Sequence, residues 1–188
     1  VDAEALVQGI APYTQHPVSR LEIALDLNDA HLSGWLDQLD QMGQYSFRLA
    51  KTKGKDRLQL WIQHLLLLLS RSDQVAPVSR HFGSDEVLTF GPVDDPQAEL
   101  EPFVKFYRQG LRQPLHFFPA SSLAWAKAKP EVAMLRAIKV WEGGYYAGEN
   151  AELAYQIAFR GQAKEALFDT QFEQLSALFQ PILAHQED

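Results

Sequence analysis

The chain has 188 residues, 46% hydrophobic and 22% charged, with a formal net charge of -7. These proportions exclude disordered, collagen-like and coiled-coil chains and suit one globular domain with a sizeable core. The lack of cysteine excludes disulfide frameworks, thiolate zinc sites, cysteine-bound iron–sulfur clusters and cysteine nucleophiles, and the acidic balance confines any contact with nucleic acid to a local patch.

The longest apolar run, Leu65 to Leu69, is far short of the roughly 20 residues that span a bilayer. No signal-peptide pattern is visible. The chain opens on Val1, not Met, within residues that read as the tail of a helix, and is expected to be a piece of a longer polypeptide.

In chain order, Asp2 to Ile10 reads as a short helix broken by Pro12 and Pro17. Leu21, Ile23, Leu25 and Leu27 alternate with polar Glu22 and Asp26, the period of a strand with one buried face. After the turn pair Asn28-Asp29, Ala30 to Leu39 reads as a second strand and Tyr45 to Ala50 as a third, together an antiparallel meander. A helix follows from about Asp56 to Ser70, with Leu58, Trp61, Ile62, Leu65, Leu66 and Leu69 on one stripe, packed on the meander. Trp35 and Trp61 are both expected in the core.

A second hairpin spans Val78 to Phe82 and Glu86 to Phe90, and Pro96 to Gly110 has the punctuation of a helix. The last third reads as helical: a short helix capped by Ser121 or Ser122 through Ala128, Pro130 to Trp141, Glu152 to Phe159, and a long helix from Lys164 to Leu183. The fold class is therefore α/β (α+β), a mixed central sheet flanked by helices. One domain is expected over 1–188, sheet-forming over about 20–92 and mostly helical over about 96–184.

Charge is polarised. Arg48, Lys51, Lys53, Lys55 and Arg57 surround a single acid, Asp56, while Asp85 to Pro102 holds six acids and no base. Glu142 to Asp188 holds eight acids against Arg160 and Lys164. The basic turn reads either as a phosphate contact or as lysines that keep an edge strand soluble and unpaired.

H-E-x-x-H, the phosphate-binding loop, G-x-G-x-x-G and G-x-S-x-G are absent, and the six histidines show no metal spacing. One constellation stands out. A divalent-metal nuclease needs carboxylates converging on the ion and a lysine near the attacking water. Asp37 at the end of the second strand and Lys51 after the third occupy such places, but position 49, where a second acid belongs, is Leu49. The hairpin thus has the shell of a nuclease site without its metal ligands.

Four segments, in order, carry a family resemblance. They are Leu32-Ser33-Gly34-Trp35-Leu36; Leu58-Gln59-Leu60-Trp61-Ile62-Gln63-His64-Leu65; Pro114-Leu115 through Pro119 with Ala124-Trp125; and Glu142-Gly143, Tyr155-Gln156 and Arg160 before Leu178-Phe179-Gln180-Pro181. Together they resemble the C-terminal domain of the exodeoxyribonuclease V gamma subunit, the RecC family, from about Leu21 to Leu183. The resemblance implies a PD-(D/E)XK nuclease-like fold that has lost its chemistry, in agreement with Leu49. It leaves Asp37 and Lys51 as vestigial-site positions.

It further implies a cytoplasmic subunit of the RecBCD helicase–nuclease that acts in DNA repair and recombination. Its partners would be RecB-like and RecD-like subunits, with DNA reached through the whole complex and no membrane. No cofactor or metal is expected in this domain. Arg48, Lys51, Lys53, Lys55 and Arg57 are the expected DNA-facing residues. The alternative is an active metal-dependent nuclease using other carboxylates, such as Glu22 or Asp26 on the first strand.

Overall fold

The computed structural model describes residues 3–15, 17–18, 20–28, 30–70 and 73–187; Asp2 of the first expected helix, His16 and Asp29 of the expected turn lie outside the described residues. The fold is mixed α/β, as the element pattern implies. The chain forms two compact units, Val1–Pro102 with Ala184–Asp188, and Phe103–Leu183.

In the first unit, helix α1 (Ala3–Ile10) precedes strands β1 (Pro17–Val18), β2 (Leu21–Leu27), β3 (Ala30–Leu36), β4 (Leu39–Asp40) and β5 (Gly43–Phe47). Helix α2 (Gly54–Ser70) and strands β6 (Ser79–Phe82) and β7 (Val87–Phe90) follow, and β8 (Gln186–Glu187) returns from the C-terminal end. Among the described residues β1-β4-β5-β6-β7-β8 form one sheet, in that order, and β2-β3 form a second. β5 and β6 are parallel and the other pairs antiparallel. A parallel pair needs a long crossover, and α2 supplies it, packing against β2, β5, β6 and β7.

The expected three-strand meander is divided between these two sheets. β2 and β3 pair as expected, Leu21 opposite Leu36 and Leu27 opposite Ala30. β3 then stops at Leu36 because Gln38 takes a left-handed backbone (φ 57) that turns the chain away. The third strand begins at Gly43 and joins the larger sheet instead. Gly43 has φ 126, and a side chain there would begin 2.2 Å from the carbonyl oxygen of Val78, so only glycine admits the close approach of β5 to that segment.

Trp61 is fully buried, its ring edge-on to Phe90 at 5.0 Å. Trp35 is not in the core: it is 58% exposed. Neighbours on a strand face opposite ways, and Leu36 takes the inward place. The register sets Trp35 opposite Glu22 on the outer face of the hairpin.

The second unit contains most of α3 (Pro96–Gly110), which crosses the division, then α4 (Pro119–Ala126), α5 (Pro130–Glu142), α6 (Leu153–Ala158), α7 (Lys164–Leu167) and α8 (Thr170–Ser176); α9 (Phe179–Ala184) closes it. Its core centres on Phe118, whose ring meets Trp141 at 4.2 Å and Tyr155 and Phe159 edge-on. Two expectations fail here. Ser121 and Ser122 do not cap α4; both are buried, Ser121 Oγ donating to Glu149 and Ser122 Oγ meeting Ser176 Oγ. Lys164 to Leu183 is three helices, because extended Asp169 accepts the Phe172 amide hydrogen bond and caps a new one.

His64 joins α2 to the sheet. Its Nε2–H donates to the Gly91 carbonyl at 2.7 Å, and Nδ1 lies 3.0 Å from Ser79 Oγ, which in turn contacts Gln44. Burial pushes its pKa from 6.5 down to about 4, against the pull of the Gly91 hydrogen bond. The unfolded chain therefore binds the extra proton first. The stability that neutral His64 contributes is full above about pH 6.5 and is lost as pH falls toward about 4, a change of about 3 kcal/mol. Urea unfolding at pH 7 and pH 4.5 is expected to show a shallower pH dependence for His64→Gln than for the wild type. Parallel curves would show that His64 is solvated.

Candidate functional site

The end of β5, the turn after it and the first turn of α2 hold the basic residues singled out in the sequence. Lys53 and Asp56 stand at the N-cap and N3 positions of α2: Asp56 Oδ2 accepts the Lys53 amide at 2.8 Å, the returning half of a capping box. The same carboxylate takes Arg48, whose Nη1 lies 3.0 and 3.2 Å from its two oxygens. The turn is tied to the loop between β6 and β7 through Thr52 N to Asp85 at 2.9 Å and Ser84 N to Ala50 O at 3.0 Å. Donation from the Thr52 amide holds the Asp85 carboxyl below its ordinary range.

Arg57, expected to face DNA, points inward instead. It is 2% exposed, with Nη2 on Glu86 and Nη1 on Gln186. A guanidinium taken out of water demands such partners. Arg48 is half-buried and committed to Asp56. Of the five basic residues, Lys51, Lys53 and Lys55 are the ones exposed to solvent.

A cavity of about 450 Å³ opens beside them, lined by Gln38, Ser46, Arg48, Lys55, Gln59 and His81 among others. Ser46 and His81 lie opposite each other across the parallel β5–β6 pair, with Ser46 Oγ 2.8 Å from His81 Nδ1. His81 Nε2 is buried without a hydrogen-bond partner. Burial lowers the His81 pKa, with Asp56 opposing.

Neither Asp37 nor Lys51 is among the lining residues. Asp37 is exposed and paired with Arg20 at 2.6 Å, and Leu49 is 67% exposed. The carboxylates of the alternative reading lie on the outer face of the β2–β3 hairpin, Glu22 opposite Trp35 and Asp26 bound to His31 at 2.8 Å. Among the described residues no three His, Asp or Glu side chains converge as a metal site. The arrangement presents ammonium groups to an anion outside the fold. The cavity's one lining carboxylate, Asp56, is already neutralised by Arg48.

Comparison with known proteins adds the family. The RecC C-terminal domain model matches residues 1–130. The chain belongs to the RecC C-terminal domain family. A curated relative, the RecBCD enzyme subunit RecC of Escherichia coli (strain K12), is 26% identical over 171 residues. The match covers 81% of this chain and 15% of the relative, so the chain spans a small part of that subunit's length. No helix among the described residues is long and apolar enough to cross a membrane.

Sequence reasoning found the basic turn but not its division. Arg57 and Arg48 read like the lysines because their partners, Glu86, Gln186 and Asp56, are assigned only by the folded contacts. The Ser46–His81 pair was likewise missed, since 35 residues separate its members.

Removing Arg57 strands Glu86 and the half-buried amide of Gln186. Arg57→Ala is expected to lower the unfolding free energy by about 3–5 kcal/mol, whereas Lys53→Ala changes it by about 0.5 kcal/mol or less. Denaturant titration of both variants checks this, and equal small effects would show that the Arg57 pair is solvated.

Proposed function

We propose that this chain is the nuclease-like, non-catalytic domain of the RecC subunit of a RecBCD-type helicase–nuclease. In that role it docks RecB-like and RecD-like subunits and helps guide DNA during double-strand break repair by homologous recombination. The observation that carries the reading is the family match over residues 1–130. The parallel β5–α2–β6 crossover is compatible with a nuclease-like ancestry.

The residues at the ancestral position support a non-catalytic role. Mg²⁺ needs several oxygen ligands, and a nuclease supplies at least two of them as carboxylates. Here Asp37 is spent on Arg20, and Leu49 stands in place of the second acid. On this reading Lys51 is a surface cation and not an activator of water.

DNA contact through the turn is then electrostatic and weak. The three exposed lysines meet about two to three duplex phosphates, giving a log K against log salt slope of about -0.9 per phosphate. The affinity of the isolated chain is roughly 10⁻⁴ M or weaker at physiological salt. The remaining affinity belongs to the assembled complex, in which this domain works by its contacts with the other subunits.

The test is co-purification of the chain with the RecB-like and RecD-like subunits of the same source, alongside incubation of the purified chain with linear duplex and Mg²⁺ or Mn²⁺. Retention of a subunit with no cleavage is the expected result. Robust metal-dependent cleavage that disappears in Glu22→Gln or Asp26→Asn would establish the nuclease reading instead. Failure to retain either subunit would remove the docking role.

A further inference from the structure

The cavity beside the basic turn belongs wholly to the first unit, and one group in its wall is not used by the chain itself. His81 is 5% exposed, and its Nε2 is enclosed without a hydrogen-bond partner. A polar atom taken out of water and left unpaired costs stability, so a buried one is ordinarily met by something. Burial lowers the His81 pKa, so at neutral pH the ring carries one proton. With the Ser46 hydroxyl donating to Nδ1 across 2.8 Å, that proton sits on Nε2, and the enclosed atom is a donor.

The rest of the wall says which acceptor suits it. Arg48 and Lys55 bring two positive charges, and Asp56 is the single carboxylate. Asp56 is already occupied: it accepts from Arg48 through both oxygens and from the Lys53 amide. Arg48 meets it through Nη1 alone, and a guanidinium has five N–H donors. Lys55 is exposed and enters no ion pair among the described residues.

A cation is the wrong occupant, since two bases repel it and the one carboxylate is committed. A water could meet Nε2 but would leave the charge of Lys55 unbalanced. A carboxylate has two oxygens in one plane, whereas a tetrahedral oxyanion offers acceptors in several directions at once. That suits donors that line the cavity from the end of β5, from β6 and from the first turn of α2. A volume of about 450 Å³ is within the range of small-ligand sites and admits a phosphate together with the group that carries it.

We propose that this cavity binds a phosphate dianion, free or as a monoester, held by His81 Nε2–H, Arg48 and Lys55, with Ser46 fixing the imidazole. The site takes a small anion inside the fold and is distinct from the weak duplex contact of the turn, because Lys51 and Lys53 do not line it. It does not depend on membership of a helicase–nuclease.

Long-range ¹H–¹⁵N NMR of the imidazole nitrogens reads the site in the 188-residue chain, titrated with inorganic phosphate against sodium chloride of equal ionic strength. His81 Nε2 is expected to carry the proton before titration and to shift saturably with phosphate but not with chloride. By calorimetry, Lys55→Ala and His81→Gln are each expected to weaken phosphate binding about tenfold. Lys51→Ala/Lys53→Ala is expected to leave it within about twofold, as exposed charges outside the cavity are screened. Circular dichroism confirms that each variant is folded, and the exposed Lys55 position keeps the test valid should His81→Gln unfold.

Thymidine 5′-phosphate and thymidine separate the two sources of the anion. Nucleotide binding at least as tight as phosphate assigns the group to a nucleotide, and weaker binding assigns it to the free ion. Thymidine binding as tightly as its phosphate would overturn the proposal. So would an unprotonated Nε2 or the lack of a saturable phosphate shift. Equal losses in Lys55→Ala and Lys51→Ala/Lys53→Ala would also overturn it, since the effect would then be the general charge of the turn.

Discussion

The buried guanidinium of Arg57 is the constraint around which the first unit is arranged. Its burial is tolerable only because Glu86 and Gln186 reach it from two other parts of the chain. One side chain thereby fixes the first turn of α2 against the start of β7 and against the returning strand β8. A lysine at this place would lack the planar fork that serves two partners at once. Arg48 repeats the logic on a smaller scale, holding the acid that caps α2. A stretch that reads in sequence as five equivalent cations is therefore two structural arginines and three solvent-facing lysines.

The same economy governs the polar interior. β5 and β6 are parallel, so the helix joining them must cross the sheet and brings polar side chains over it. Gln63 and His64 of α2 are met by Gln44 and Ser79 from the two strands, and the line ends on the Gly91 carbonyl. Nearer the ends of these strands, Ser46 and His81 make a second side-chain pair between β5 and β6, at the wall of the cavity. The cavity and the lysines beside it lie at one end of this crossover.

Much of this was legible from local pattern. Alternation located β2, and proline and glycine punctuation located α3 and the start of α5. The ordered motifs that suggested the RecC family depend on residue identity, and the family match agrees with them. Features set by distant contacts were not legible. The phase of β3 decides between Trp35 and Leu36 for the core, and only pairing with β2 sets it. Gln38 in a left-handed conformation carries no glycine or asparagine signal, so the division of the meander was hidden. The cap at Asp169 lies within an unbroken helical periodicity.

The basic turn divides into structural and solvent-facing charges. Side-chain-detected NMR of the Lys and Arg nitrogens during titration with a short duplex measures this directly, and it tolerates weak binding. Lys51, Lys53 and Lys55 are expected to shift with added duplex, the shifts to collapse with salt, and the Arg57 guanidinium signals to stay fixed with slow proton exchange throughout. Arg57 signals that exchange rapidly and move with the lysines would contradict it.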